Sequence, residues 1–301
     1  MKHLLSMAEL SEGDIFGILN LADQLKYEKK HGIVKKPLSG KTLGMIFEKA
    51  STRTRVSFEV AMHELGGYAL YLNANDLQIG RGEPIEDTAR VLSRYLDCIM
   101  IRTYKQKTVE DLARFGSIPV INGLSDLEHP CQILADLMTI REYKGSFKGL
   151  KLAYIGDGNN VANSLIIGGL KMGMSVAIAC PDAYRPAPAV LDFAAAHEGF
   201  LMTPDIAAAA ADADVLYTDV WASMGMESEK SKREKDFSGY QINDEVLKLA
   251  KHDAIVLHCL PAHRGEEITA EAFEAHAAEI FDEAENRLHA QKAVLVKLLK
   301  H

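Results

Sequence analysis

Apolar positions along this chain follow two periods. From Ser11 to Lys30, Ile15, Ile18, Leu19, Ala22 and Leu25 recur every three or four residues, the stripe of an amphipathic helix, and Ser11 stands where a cap belongs. Short apolar runs then alternate with helical patterns. Strands are expected at 43–47, 69–72, 97–102 and 118–121, and helices at 52–65, 86–96 and 108–115. A longer helix over about 130–143 carries Ile133, Leu134, Leu137 and Ile140. Gly145-Ser146-Phe147-Lys148-Gly149 interrupts the pattern, and a second series begins. Its strands are expected at 151–155, 175–179, 214–217 and 254–257, its helices at 160–172, 187–197, 206–211 and 243–250. An amphipathic helix from Ala284 to Lys300 closes the chain.

Such alternation implies parallel sheets covered by helices on both faces. The expected fold is α/β: two doubly wound parallel-sheet domains joined by long helices, with the active site in the cleft between them, beyond the carboxyl ends of the strands. The first domain is expected over 1–140, with the C-terminal helix 284–301 packing back on it, and the second over 141–283.

Composition narrows the function classes. Of 301 residues, 48% are hydrophobic and 25% charged, which is ordinary for a globular chain of two domains. No stretch is long and apolar enough to span a membrane, and Met1-Lys2-His3-Leu4-Leu5 carries no secretory signal, so a cytoplasmic location is expected. A net charge of −8 argues against nucleic acid as a partner. Cysteines at 98, 131, 180 and 259 form no Cys-x-x-Cys and are expected to be reduced.

Against this acidic background, Ser51-Thr52-Arg53-Thr54-Arg55 places two guanidinium groups and three hydroxyls where a strand runs into a helix. The first N–H groups of a helix lack internal partners and sit at the positive end of its dipole, so the string reads as a cradle for a small anion such as phosphate. A lone Ser-Thr-Arg would read as a cap with solvated arginines; the full string after a buried strand does not. Tyr154-Ile155-Gly156-Asp157-Gly158-Asn159-Asn160-Val161 begins like a dinucleotide fingerprint, but Val161 stands in the third glycine's place. It is expected to be a tight turn that aims the amides of Asn159, Asn160 and Asn163 at a polar substrate.

Other polar clusters fall at expected strand ends. Arg102 follows the run Ile99-Met100-Ile101, and reads equally as a site residue or a surface ion pair. His129 precedes Pro130-Cys131-Gln132 at the opening of the long helix and reads equally as its cap. Asp219-Val220-Trp221-Ala222-Ser223-Met224-Gly225 and His258-Cys259-Leu260-Pro261-Ala262-His263 follow the last two strands. The spacing of His258, Cys259 and His263 matches no standard zinc finger or ribbon, and no acidic cluster near the motifs suggests magnesium, so neither a metal nor a cofactor is expected.

Taken in order, Ser-Thr-Arg-Thr-Arg, His-Pro-Cys-Gln and His-Cys-Leu-Pro resemble the aspartate/ornithine carbamoyltransferases from end to end. With Asp-x-x-x-Ser-Met-Gly the set resembles the ornithine-specific branch. The resemblance implies transfer of the carbamoyl group of carbamoyl phosphate to the side-chain amine of L-ornithine, giving L-citrulline and phosphate in arginine metabolism. Ser51, Thr52, Arg53, Thr54 and Arg55 would hold the phosphate. Arg102, His129 and Gln132 match contacts to the carbamoyl end, and Gln78 and Arg287 match further carbamoyl phosphate contacts. Asn163, Asp219, Ser223 and Met224 match the ornithine positions, and Cys259 and Leu260 would face the reacting amine. Arg102, His129, Asp219 and Cys259 are the expected catalytic group. The family implies a cis peptide bond before Pro261 and a homotrimer in which Gln78 reaches a neighbour. The polar run from Glu227 to Lys235 reads as a mobile loop over ornithine or as an ordinary charged surface. A carbamoyltransferase for putrescine or an N-acylated ornithine is the nearest alternative, and an oxidoreductase built on Gly156-Asp157-Gly158 is a more distant one.

Overall fold

A computed structural model describes residues 1–222 and 229–300. The chain divides into two compact units, Met1–Ala135 with Asn286–His301, and Asp136–Glu285. It passes from the first to the second inside helix α5 (Pro130–Lys144) and returns inside α12 (Ala277–Leu299).

In the first unit the described strands β1 (Thr42–Phe47), β2 (Tyr68–Asn73), β3 (Cys98–Arg102) and β4 (Val120–Leu124) form a parallel sheet in the order β2-β1-β3-β4. Both β1 and β3 are buried nearly throughout. This is why they read as unbroken apolar runs: a strand covered on both faces has no solvent side to alternate with. From β1 the chain moves outward to β2, then returns to lay β3 on β1's other side. The sheet's direction of winding thus reverses between Phe47 and Arg102, where α/β sheets open a crevice. Helix α1 (Glu12–Lys30) opens the unit with the expected cap: Asp14 N–H donates to Ser11 Oγ, and the Asp14 carboxylate accepts from the Ser11 N–H. Leu4 adds a backbone bridge beside β4.

In the second unit β5 (Lys151–Ile155), β6 (Ser175–Ala179), β7 (Phe200–Thr203), β8 (Val215–Thr218) and β9 (Ile255–His258) lie in the parallel order β7-β6-β5-β8-β9. The winding reverses between β5 and β8. A core of Ala153, Ile155, Ala177, Leu216, Val256, Ile268 and Phe273 packs here. Gly158 is demanded by packing: a Cβ there would come within 2.4–2.5 Å of the backbone of Tyr184, Arg185 and Pro186. The second glycine of the partial fingerprint therefore serves a backbone crossing.

Several elements differ from expectation. Helix α3 spans Ile85–Leu92 and α10 spans Asp244–Leu247, both shorter than the periodicity suggested. Edge strand β7 and the short α11 (Ala270–Ala275) were not foreseen; β7 is half exposed and has no buried run to reveal it. Residues expected to belong to a charged loop form α9 (Lys230–Asp236). Pro261 does follow a cis bond.

Candidate active site

The first half-site is built on the crevice between β1 and β3. Helix α2 (Thr52–Glu64) starts directly beyond β1, with Ser51 as its cap: the Thr54 N–H donates to Ser51 Oγ at 3.2 Å. At the end of β3 the Glu48 N–H donates to the Arg102 carbonyl at 2.9 Å, tying the two strand ends together. The register between β3 and β4 shifts between Ile101 and Arg102, an irregularity of the kind that re-aims a side chain. Glu48 Oε2 also accepts from Thr103 Oγ1. His129 stands just before Pro130, and its carbonyl receives the Gln132 and Ile133 N–H groups. The turn before it is held by Glu128, whose N–H donates to Ser125 Oγ and whose carboxylate accepts the Met7 N–H at 2.7 Å.

Arg287, from α12, joins this group. It donates to Gln132 Oε1 at 2.6 Å and to Thr54 Oγ1 at 3.3 Å. Thr54, Arg102, His129, Gln132 and Arg287 are all buried. Burial, with Arg287, Arg102 and Arg53 nearby, holds the His129 imidazole well below its ordinary range. At neutral pH it is therefore uncharged, with one ring N–H to give. Arg55 is placed elsewhere within the chain: its guanidinium lies 3.8 Å from the centre of the Tyr71 ring and pairs with Glu59 at 3.0 Å. Thr52 and Gln78 are exposed, Gln78 at the start of a 3₁₀ turn (Gln78–Arg81).

The second half-site lies beyond β5, β8 and β9. Asp219 is buried and gathers three donors: Cys259 Sγ at 2.9 Å and the Val220 N–H at 2.8 Å on Oδ1, and Asn159 Nδ2 at 2.8 Å on Oδ2. Burial pushes the Cys259 thiol well above its ordinary range, and the Asp219 carboxylate beside it adds to the effect. This favours the protonated thiol over the thiolate. Asn163 is buried near the start of α6 (Asn160–Lys171), and its Oδ1 accepts the Ala187 N–H at 2.9 Å. Leu260 has a left-handed backbone, φ 58, and its N–H donates to His258 Nδ1 at 2.9 Å. His258 in turn is fixed by Glu283, which accepts its N–H at 2.8 Å and the Tyr217 hydroxyl at 3.2 Å. Ser223 and Met224 lie outside the described residues.

Asp219, His258 and Cys259 present ligand atoms within 4.8 Å of one another, while His263 groups instead with Glu266 and Glu267. Arg233, on α9, escaped sequence reasoning. It is buried, and donates to Asp157 Oδ2 at 2.7 Å and to the Trp221 carbonyl at 2.8 Å. Burial lifts the Asp157 carboxyl to about 6 despite this partner. A lysine-rich run gave no signal for it; the spacing of Trp221, Arg233 and Phe237 as one aromatic-cation stack is visible only in space.

Comparison with known proteins matches a family domain to each part of the chain. The carbamoyl-P binding domain of aspartate/ornithine carbamoyltransferase matches residues 2–142, and the Asp/Orn binding domain matches residues 148–298. The chain belongs to the aspartate/ornithine carbamoyltransferase family. It is 58% identical to the ornithine carbamoyltransferase of Methanosarcina mazei, over 99% of both chains. It is 56% identical to that of Archaeoglobus fulgidus, over 99% of this chain and 98% of the relative. The solved ornithine carbamoyltransferase of Pyrococcus furiosus superposes with a TM-score of 0.94 at 54% identity, covering 99% of this chain and 97% of the other. The anabolic enzyme of Campylobacter jejuni gives 0.93 at 45%, covering 99% of each.

Proposed function

We infer that the chain is an ornithine carbamoyltransferase, transferring the carbamoyl group of carbamoyl phosphate to the side-chain amine of L-ornithine. The observation that carries the acceptor assignment is Asp219, a buried carboxylate held by three donors at the carboxyl end of β8. An anionic floor suits an amine-bearing acceptor and repels aspartate, the other acceptor in the family's name.

In this reading the first half-site takes carbamoyl phosphate. Ser51, Thr52, Arg53 and Thr54 receive the phosphate at the positive end of the α2 dipole, and Arg55 joins them only by leaving Glu59 and Tyr71. Gln132 and Arg287 hold the carbamoyl end, and Gln78 approaches from a neighbouring copy in a homotrimer. Asn163, Asp219, Ser223 and Met224 receive ornithine. Its side-chain ammonium has an ordinary pKa of about 10.4, so a proton must leave before attack. Because Cys259 gives its own hydrogen to Asp219, its sulfur lone pairs remain to accept from the amine and orient it, with Leu260 alongside.

The amine nitrogen then bonds to the carbamoyl carbon, and charge builds on the carbonyl oxygen. Arg102, the Thr54 hydroxyl and the neutral His129 N–H stabilise that oxygen. When the tetrahedral intermediate collapses, the bond from carbon to the phosphate oxygen breaks. Phosphate leaves against Arg53 and takes up the remaining extra proton of the nitrogen. No helix among the described residues is long and apolar enough to cross a membrane.

The test is citrulline formation from carbamoyl phosphate and L-ornithine, run beside putrescine, N-acetylornithine and aspartate. Turnover confined to ornithine supports the whole assignment. Turnover with another amine keeps the phosphate half and overturns the role given to Asp219.

A further inference from the structure

Beyond Cys259 the chain makes a tight turn whose polar groups take no part in the reaction described above. Gly265, with φ 92, lets its N–H reach the Ile268 carbonyl at 2.8 Å, and the Glu266 N–H donates to the His263 carbonyl at 2.9 Å. Gln241 Nε2 clamps the same turn through the carbonyls of Gly265 and Glu266, at 3.1 and 2.7 Å. The result brings His263, Glu266 and Glu267 together, with one ligand atom from each inside 4.8 Å of the others.

Glu267 is the decisive member. It is fully buried. The Leu260 N–H occupies His258 Nδ1, so His258 carries its proton on Nε2 and donates it to Glu267 Oε1 at 2.9 Å. The same oxygen also accepts the His263 N–H at 2.6 Å. Oε1 is thus doubly satisfied, while Oε2 is buried with no hydrogen-bond partner. A carboxylate oxygen in that position costs free energy unless something positive meets it. The adjacent pair has a matching geometry. His263 Nδ1 and Glu266 Oε2 lie 3.4 Å apart. Two donors each about 2.0–2.1 Å from one tetrahedral ion stand roughly 3.4 Å apart. Glu266 Oε1 has Lys230 at 3.3 Å, and that ammonium is divided with Glu234 at 3.7 Å.

We propose that His263, Glu266 and Glu267 bind one divalent cation, zinc by its mixed nitrogen and oxygen donor set, with water completing the sphere. The ion neutralises the carboxylates of this turn, apart from the groups that react.

The experiment uses the full chain, stripped with a chelator and titrated with Zn²⁺ and, separately, Co²⁺. Saturable binding of one ion per chain is expected, with cobalt spectra lacking a thiolate charge-transfer band. Glu266→Gln and His263→Asn should each weaken that binding at least about tenfold. Both residues lie outside the reacting groups, so circular dichroism and citrulline formation should be unchanged. Glu274→Gln, which removes a nearby exposed carboxylate paired with Arg264, should leave affinity as it was. Three results would each overturn the proposal: no saturable binding to the folded chain, binding indifferent to both variants, or a thiolate band, which would place the ion on Cys259 instead.

Discussion

Replacing Arg233 with glutamine removes the cation that joins the loop after β5 to the carbonyl of Trp221. Loss of one member of a buried pair ordinarily costs about 3–5 kcal/mol. Asp157 has a partial escape, because its carboxyl already titrates at about 6 with Arg233 present and can take up a proton when the guanidinium is gone. The sign follows from that value. The folded carboxyl titrates above its unfolded value, so its ionisation subtracts stability as pH rises from about 4 to about 6. In the variant the folded pKa is higher still, and the subtraction continues to higher pH. The gap between native and variant should therefore grow by about 1.4 kcal/mol per pH unit above 6 until the variant's carboxyl ionises, approaching about 3 kcal/mol near pH 8. Urea unfolding of both proteins at several pH values from about 5 to about 8 measures it. Because Asp157 leads into Asn159, which donates to Asp219, the KM for ornithine should rise while that for carbamoyl phosphate stays near native. A gap that is flat across the whole pH range would refute the ionic reading of the pair.

Three further outcomes are expected. Arg102→Ala should lower kcat by two to three orders of magnitude, about 3 kcal/mol, as loss of one oxyanion donor; near-native steady-state turnover would remove Arg102 from that role. Cys259→Ser should keep measurable turnover within about a hundredfold of native, since a protonated thiol that only orients the amine is partly replaced by a hydroxyl. Mass spectrometry of native enzyme quenched during turnover should show no carbamoyl adduct on Cys259, and finding one would make the sulfur a covalent nucleophile. Gln291 is fully buried in α12 with neither amide atom bonded to protein. Gln291→Met should therefore stabilise the chain by about 1–2 kcal/mol, read as a higher Tm, and a lower Tm would show that the amide is satisfied.

The two βα series and the motifs at their strand ends were legible because buried parallel strands leave continuous apolar runs, and polar loops follow them directly. Arg102 and His129, ambiguous as single letters, are both buried, and His129 lies within reach of the charges of Arg287 and Arg102. What the letters hid was spatial. The strand orders, and so the two places where winding reverses, follow from long-range pairing that no local period records. Arg55 looks equivalent to Arg53, yet Glu59 and Tyr71 hold its guanidinium on the exposed side of α2 within the chain. Arg233 sits in a run of lysines and glutamates that reads as solvated, and only its burial against Asp157 distinguishes it. Strand β7 is short and half exposed, so neither propensity nor alternation announces it.

The way α12 crosses from one unit to the other sets an order of completion during synthesis. The second unit, Asp136–Glu285, is continuous in sequence and has all its strands as soon as β9 and α11 have emerged. The first unit begins at the N-terminus but needs Asn286 and beyond, which supply Arg287 to Thr54 and Gln132, Lys292 to Glu64, and Asn286 to Lys26. During synthesis, Thr54 and Gln132 therefore wait for their Arg287 partner until well after both have been made. The unit that matches the carbamoyl-P binding domain is completed after the other, by residues made roughly two hundred positions beyond Thr54.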